Sequence, residues 1–166
     1  YRGLWASAFF DAPATIPLAA KLLKAKSDEV RFVAAWTLSI MGLPAAVKAK
    51  HPAIDDPSLQ VALTAATAAA GIRVTEGMAA IGDDTSESSS GTFDKLERLY
   101  TRVPEKPTTL KPIVWPWTER KIERSMIAGC LLNAIGDLPP TRMLPYMKGL
   151  NSWQQRSLID ILAKQE

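Results

Sequence analysis

Cysteine and histidine are almost missing from this sequence, and both shortages limit its chemistry. Cys130 is the single cysteine, so the chain forms no internal disulfide. This fits a reducing compartment, and we expect a cytoplasmic protein. His51 is the single histidine and stands before a proline at the expected end of a helix. We interpret Cys130 as a small buried apolar residue and His51 as a helix-end residue that interacts with the helix dipole.

Motifs of known catalytic and cofactor sites are missing as well. The sequence contains no C-x-x-C, no H-E-x-x-H, no G-x-S-x-G and no glycine-rich phosphate loop. The acidic pairs Asp55/Asp56 and Asp83/Asp84 fall at an expected helix cap and in an expected loop, where capping or solvation explains them. We therefore expect no enzyme activity, no cofactor and no metal.

Long apolar runs are also lacking. The two longest, Val33–Val47 and Leu59–Ile72, are interrupted by polar residues, glycine or proline, so we expect no membrane span. With 47% hydrophobic and 22% charged residues, the 166 residues suit one globular domain. The net charge of +3 is compatible with a nucleic-acid partner but does not indicate one. The chain begins with Tyr and lacks a signal-peptide pattern, and we interpret it as a piece of a longer protein.

The stretch Ser27–Gly42 carries the clearest structural signal. It opens with a capping residue, Ser27 or Asp28, and ends on glycine. Between them, apolar residues recur at helical spacing on two faces, one containing Val33 and Leu38 and the other Phe32 and Trp36. A helix that is apolar on two sides must lie between other helices.

The rest of the chain reads as weaker helices of the same kind. We predict helices over Ala14–Lys26, Ala45–His51, Leu59–Ala70, Val74–Ile81, Thr92–Val103, Glu119–Ile135, from Asp137 to about Gly149, and from Ser152 onward. Asp56 is the expected cap of the helix Leu59–Ala70, and Ser152 with Gln155 has the spacing of a capping box. Tyr1–Phe10 reads as the second helix of a helix pair.

Two composition changes divide the chain. Residues 83–91 form a polar, low-complexity segment that we predict as a flexible loop. It separates N-terminal helix pairs over 1–82 from C-terminal helix pairs over 92–166, within one continuous domain. Within the second half, the four prolines of residues 104–117 exclude a helix and favour an extended path.

An internal repeat emerges when helix ends are aligned. Matching Gly71 to Gly42 places Leu59 on Val30, and matching Gly136 to Gly42 places Leu132 on Leu38. Helix pairs that recur every roughly 30 to 45 residues are typical of α-solenoids.

The segment D-E-V-R-F-V-A-A-W-T-L-S-I-M-G, Asp28–Gly42, resembles the second helix of the HEAT-repeat family, in particular its short bacterial, PBS-lyase-type members. The resemblance implies an all-α fold, an α-solenoid of antiparallel helix pairs. It also implies a ladder of polar contacts between successive repeats, in which Arg31 pairs with the preceding Asp28. A ligand contact is the alternative role of Arg31.

One segment stands out as a candidate interaction surface. It combines two tryptophans with basic residues, and Trp and Arg are typical anchors of binding hot spots. Its residues are Lys111, Trp115, Trp117, Arg120, Lys121 and Arg124. The alternative is structural: Trp115 and Trp117 fold back and cover a gap between repeats.

Two functions fit these observations. The first is a non-enzymatic scaffold or adaptor that binds another protein, because a solenoid offers an extended surface and needs no catalytic group. The second, which we favour less, is binding of nucleic acid, since some DNA glycosylases for alkylated bases are built from HEAT-like repeats. Basic residues cluster on the first helices, as phosphate contacts require. They are Lys21, Lys24, Lys26, Lys48 and Lys50.

Overall fold

A computed structural model describes Gly3 and residues 13–41, 43–67, 89–113, 119–135 and 138–163. This part of the chain is mostly helical, which confirms the all-α prediction at that level. The α-helices are α1 (Ile16–Leu22), α2 (Asp28–Met41), α3 (Pro44–Lys50), α4 (Leu59–Ala66), α5 (Ser89–Arg102), α6 (Arg124–Asn133) and α7 (Ser152–Ala163). The described residues also form the 3₁₀ helices η1 (Pro13–Thr15), η2 (His51–Asp55) and η3 (Pro140–Gly149) and the short strands β1 (Thr108–Leu110) and β2 (Arg120–Ile122).

The helix α2 lies at the centre of the N-terminal half, as its two apolar faces predict. The Ser27 hydroxyl accepts a hydrogen bond from the Val30 N–H at 3.4 Å, so Ser27 is the residue that caps this helix. Val33, Ala34, Ala35 and Leu38 are fully buried. The helix contacts α1, α3 and α4, and it therefore has neighbours on more than one side.

Consecutive elements contact one another in a regular order. Helix α1 contacts α3, and α2 contacts α4. Both η2 and α4 contact α5. Helix α5 contacts α6, and α6 contacts η3 and α7. One continuous apolar core runs through these layers, with Leu38, Leu63, Phe93, Ile127 and Leu158 among its fully buried members.

The predicted helix over Glu119–Ile135 is wrong in its first part. Residues 120–122 form β2, which pairs antiparallel with β1 so that Thr108 faces Ile122 and Leu110 faces Arg120. Ile122 is fully buried, and this burial favours a strand that brings it inward. The helix α6 begins only at Arg124. The strand β1 lies in the Pro-rich stretch 104–117 and is extended, as the prolines predict; residues 114–118 lie outside the described part.

Three other boundaries differ from prediction. The helix α1 covers only the middle of Ala14–Lys26 and is followed by tight turns, in which Lys24 N–H donates to Lys21 O. The helix α4 begins at Leu59 with Ser58 before it, while Asp56 accepts the Ser58 N–H at 2.8 Å and so stabilises the turn ahead of the helix. The helix α5 begins at Ser89, inside the predicted loop 83–91.

The capping box of the last helix lies one residue earlier than predicted. Asn151 Oδ1 accepts the Gln154 N–H at 2.9 Å, and Gln154 Oε1 accepts the Asn151 N–H at 3.0 Å. This is the reciprocal pattern of a capping box, with Asn151 in the role that the sequence assigned to Ser152. The predicted helices over Tyr1–Phe10 and Val74–Ile81 lie outside the described residues.

A polar and aromatic cluster joins α5 to η3. Arg142 donates to Asp94 at 2.9 Å and to Glu97 at 2.8 Å, and its guanidinium lies over the Phe93 ring at 4.4 Å from the centroid. Glu97 also accepts a hydrogen bond from the Tyr146 hydroxyl at 2.9 Å. Burial, followed by that bond to Glu97, raises the pKa of Tyr146 to about 12.

Within the described residues, none of the helices combines the length and the apolar character that crossing a membrane would require.

Candidate binding groove

A groove with a volume of about 600 Å³ lies where α1, α3 and η2 meet. The last turns of α1 and α3 both reach it, and each of these last turns is basic. Clefts of this size are large enough to bind a small ligand or a short peptide segment. We take this groove as the candidate functional site.

The charged residues of the groove are of both signs but are not distributed evenly. Lys21, Lys24 and Lys48 lie along it with exposed side chains, and Asp55 and Asp56 follow at the end of η2. Lys21 is in the last turn of α1, and Lys24 is in the turn that follows this helix. Lys48 comes from the neighbouring helix α3.

Both carboxylates of the groove already have cationic partners from other elements. Asp55 pairs with Arg98 of α5 at 2.9 Å, and Asp56 pairs with Arg31 of α2 at 2.7 Å. Neither arginine lines the groove. In the described part of the chain, Lys21 and Lys24 form no salt bridge. The lysine charge is therefore not cancelled by the nearby aspartates.

The carboxyl ends of α1 and α3 reduce this positive field but do not remove it. A helix carries a partial negative charge at its last carbonyls, and basic residues in a last turn interact favourably with it. At the end of α1 the carbonyls of Ala19, Lys21 and Leu22 accept hydrogen bonds from the N–H groups of the following turn. Within the described residues, the ammonium groups of Lys21 and Lys24 thus remain available to an external anion.

The rest of the groove surface is apolar and made of small side chains. It consists of Ala20, Leu23, Ala49, Pro52 and Ala53. Such a surface accepts aliphatic side chains, while the lysine heads accept carboxylate or phosphate groups. The groove therefore suits a ligand with both anionic and apolar parts.

The five lysines that the sequence groups together do not share one surface. Lys21, Lys24 and Lys48 line the groove, and Lys26 is exposed beyond it. Lys50 is buried, and its ammonium donates to the Ser39 hydroxyl at 3.3 Å. Alternation along α3 explains this difference, because residues two apart on a helix point in different directions.

Lys50 belongs to a buried polar cluster at the carboxyl end of α4. Ser39 Oγ lies 2.8 Å from the Thr64 carbonyl oxygen, and Cys130 Sγ lies 3.5 Å from that of Ala66. Burial lowers the pKa of Lys50 to about 8, against a smaller opposing effect of Cys130. The buried position predicted for Cys130 is confirmed. The cluster satisfies helix-end carbonyls and joins four helices.

His51 has a larger structural role than its place at a helix end indicates. It follows the last residue of α3 and is buried. Its Nε2 lies 3.0 Å from the Thr92 hydroxyl, and its Nδ1 lies 3.4 Å from the Lys95 ammonium. Because an ammonium only donates, Nδ1 accepts and Nε2–H donates to Thr92. His51 thereby connects η2 to α5.

The structure gives Arg31 a different principal partner from the one that the resemblance implies. Its Nε and Nη2 donate to the two carboxylate oxygens of Asp56, at 2.7 and 3.2 Å. The hydrogen bond to Asp56 is the largest cause of the raised pKa of Arg31, and the charge of Asp28 is the smallest. Asp28 lies on the same helix as Arg31, whereas Asp56 lies ahead of α4, so the contact connects α2 to the turn before α4.

The candidate surface between Lys111 and Arg124 is only partly within the described residues. Lys111 is exposed, its carbonyl accepts a hydrogen bond from Gln60, and Lys121 pairs with Glu123 at 2.9 Å. Arg124 turns inward: Nε donates to the Val103 carbonyl at 3.0 Å, and the guanidinium lies 5.2 Å from the Tyr100 ring centroid. The backbone of Arg120 pairs in β2. Trp115 and Trp117 lie outside the described residues.

Among the residues that the structure describes, no group of three or more His, Cys, Asp or Glu side chains is arranged to hold a metal ion.

Comparison with known proteins gives one finding. A family model described as "Family of unknown function (DUF5724)" matches residues 1–166. Neither the search of curated proteins nor the search of solved structures returned a match. Because the family model covers the whole chain, this chain belongs to family DUF5724.

Proposed function

We propose that this chain is a non-enzymatic interaction module, a scaffold or adaptor that binds another protein in the groove between α1, α3 and η2. The observation that carries the proposal is the composition of that groove. Three lysines stand over an apolar surface of small side chains, and both neighbouring aspartates are paired with arginines. A protein segment can supply anionic and apolar side chains together, and so it fits this combination.

The architecture that we propose is an α-solenoid of HEAT-like helix pairs. Its support is the order of contacts, in which each helical element touches the next one or two along the chain. First helices meet first helices, and second helices meet second helices, as in a stack of repeats. The Arg31–Asp56 pair crosses from one helix pair to the next and supports the same architecture. Stacked repeats present long surfaces, which scaffolds use for binding.

Nucleic acid is the second candidate partner, and only the lysines of the groove favour it. A phosphate backbone is bound through several cations placed along its path. Here Lys50 is buried and Lys26 lies outside the groove, so only three of the five lysines border it. The apolar part of the groove offers nothing to phosphates. We therefore favour a protein partner.

Affinity capture tests this function directly. The tagged protein is captured from its own cells, with one half of the lysate treated with nuclease, and bound material is identified by mass spectrometry. We expect a protein that stays bound after nuclease treatment and that binds again when both proteins are purified. Binding that disappears with nuclease would contradict the proposal in favour of nucleic acid.

A further inference from the structure

We propose that the outward face of α7 binds the same face of a second copy of this chain, so that two α7 helices pack antiparallel in a two-fold symmetric dimer. This surface is separate from the groove between α1, α3 and η2, because no residue of α7 lines that groove. The inference therefore goes beyond the proposed function, and either of the two can fail without the other.

Four residues form one stripe along the side of α7 that faces solvent. They are Trp153, Arg156, Asp160 and Ala163. Their intervals of three, four and three residues bring side chains to one side of a helix, and helices that pack on each other use the same intervals. All four are exposed, whereas Leu158 on the other side of the helix is fully buried. The stripe is thus the outer surface of α7.

Trp153 gives the stripe an apolar area that a partner can bury. It is 73% exposed, the largest exposed fraction among the large hydrophobic residues in the described part of the chain. Ile159 is 53% exposed and borders the stripe. Tryptophan is a typical anchor of protein–protein interfaces, because its ring is large and loses little conformational freedom on binding. The outer surface of α7 therefore has the composition of an interface.

Arg156 and Asp160 are one turn apart on the stripe and form no salt bridge with each other. Within the described residues, neither side chain has any ionic partner. A cation placed four residues before an anion is the less favourable order for an ion pair along a helix. Both charges are thus available to a partner, which has to offer one anion and one cation at the same spacing.

A second copy of α7 in the antiparallel direction offers this arrangement. A two-fold axis midway between Arg156 and Asp160 places each Arg156 beside the Asp160 of the second copy. The same axis places each Trp153 beside the Ala163 of the second copy, because both residues stand three positions outside the charged pair. The smallest side chain of the stripe therefore leaves room for the largest. A parallel arrangement would instead place like charges side by side.

Sedimentation equilibrium of the purified protein over a range of concentrations tests the inference. We expect a reversible monomer–dimer equilibrium with a dissociation constant on the order of 10–100 µM, because one helix face is smaller than a standard interface. Added salt is expected to weaken the dimer, since charge pairs lie at its centre. A protein that stays monomeric at roughly 1 mM, or that forms assemblies larger than a dimer, would overturn the inference.

The tryptophan is tested by Trp153→Ala, which is expected to raise the dissociation constant of the dimer at least about tenfold. Leu18→Ala is the matched control, because Leu18 is also exposed, at 53%, but lies on α1. We expect this control to dimerise as the wild type does. Thermal melting verifies that each variant is folded. Equal dimerisation of Trp153→Ala and the wild type would contradict the proposed interface.

Charge reversal at the centre of the stripe tests the pairing itself. R156D and D160R each place like charges opposite one another, and each is expected to weaken the dimer at least about tenfold. The double variant R156D/D160R exchanges the two signs and is expected to restore the dimer. An equal mixture of the two single variants is expected to form the heterodimer, because an acidic stripe then faces a basic one. Mere distortion of α7 would not be reversed in either way.

Single reversals without effect, or a folded double variant that does not recover the dimer, would overturn the inference. These results differ from a failure of the proposed function. A monomer that still captures another protein in its groove keeps the interaction module and loses the dimer. A dimer that captures no other protein from the lysate does the reverse.

Discussion

Arg31 and Asp56 are joined by two parallel hydrogen bonds, Nε to Oδ2 at 2.7 Å and Nη2 to Oδ1 at 3.2 Å. The remaining guanidinium nitrogen, Nη1, donates to the carbonyls of Ala25 and Lys26, both at 2.9 Å. One side chain on α2 thus fixes the turn after α1 and the turn before α4. Because Lys24 and Asp56 both line the groove, Arg31 also fixes the relative position of its two sides.

Replacing Arg31 by Met is expected to lower the free energy of unfolding by roughly 3 kcal/mol, since it leaves a largely buried carboxylate without its partner. Asp56 is the more buried of the two side chains, at 5% exposed. Urea unfolding followed by circular dichroism measures the change.

The matched control for Arg31 is Asp28→Ala. Asp28 is exposed and acts on Arg31 only weakly through its charge, so we expect a loss of less than about 0.5 kcal/mol. Equal losses for the two variants would show that the ladder contact runs to Asp28 after all.

Lys50→Met is expected to stabilise the protein at neutral pH. Burial lowers the pKa of Lys50 from 10.5 to about 8 in the folded protein, whereas the unfolded chain keeps the ordinary value. Below about pH 8 this difference costs roughly 3 kcal/mol of stability, because the folded protein must hold a buried charge. Met fills a similar volume, and Ser39 keeps its bonds to the carbonyls of Ala35 and Thr64.

The pH dependence of the free energy of unfolding tests whether burial lowers the pKa of Lys50. Between about pH 8 and 10.5 the unfolded chain binds a proton at Lys50 that the folded protein does not, so the wild type gains stability as pH rises. The difference between wild type and Lys50→Met is expected to shrink across this window. A difference that stays constant from pH 7 to 10.5 would show that Lys50 is not desolvated.

Asn151→Ala is expected to destabilise the protein by about 1 kcal/mol, because it removes the side chain that caps α7. Ser152→Ala is the control and is expected to have little effect, since Ser152 is exposed and lies within the helix. Thermal unfolding of both variants measures the difference. If Ser152→Ala were the more damaging of the two, the capping box would begin at Ser152.

The cap of α7 was predicted at Ser152 and lies at Asn151, and this difference shows what the local sequence can and cannot determine. Both Asn151 and Ser152 are good capping residues followed three positions later by Gln, so local sequence does not choose between them. The choice depends on where the preceding turn ends, which is a tertiary property. In contrast, α2 was predicted nearly to the residue, because its periodicity and its burial on two faces agree.

The strand β2 and the groove illustrate a second limit. Four of residues 119–123 are charged, and the segment reads as the first turn of a helix, but the strand that pairs with it lies in another part of the chain. The groove likewise combines the ends of α1 and α3 with η2. The basic residues of the two helices are visible in the sequence, whereas the pairing of Asp55 with Arg98 spans a separation that no local pattern encodes.

Glu97→Gln is expected to destabilise the junction of α5 and η3 more than Asp94→Asn does. Glu97 accepts hydrogen bonds from both Arg142 and Tyr146, whereas Asp94 accepts one from Arg142 alone. We expect the free energy of unfolding to fall by about 1–2 kcal/mol in Glu97→Gln and by under about 1 kcal/mol in Asp94→Asn. Denaturant unfolding of the two variants measures them, and a larger loss for Asp94 would contradict this account of the cluster.

The most direct test of a protein-binding groove is photo-crosslinking from inside it. A photoreactive amino acid at Ala49, on the groove floor, is compared in cells with the same amino acid at Lys148, exposed on η3. Our account predicts that Ala49 links to a partner protein and that Lys148 gives no such adduct. A nucleic-acid adduct at Ala49, or a partner protein linked equally from both positions, would contradict it.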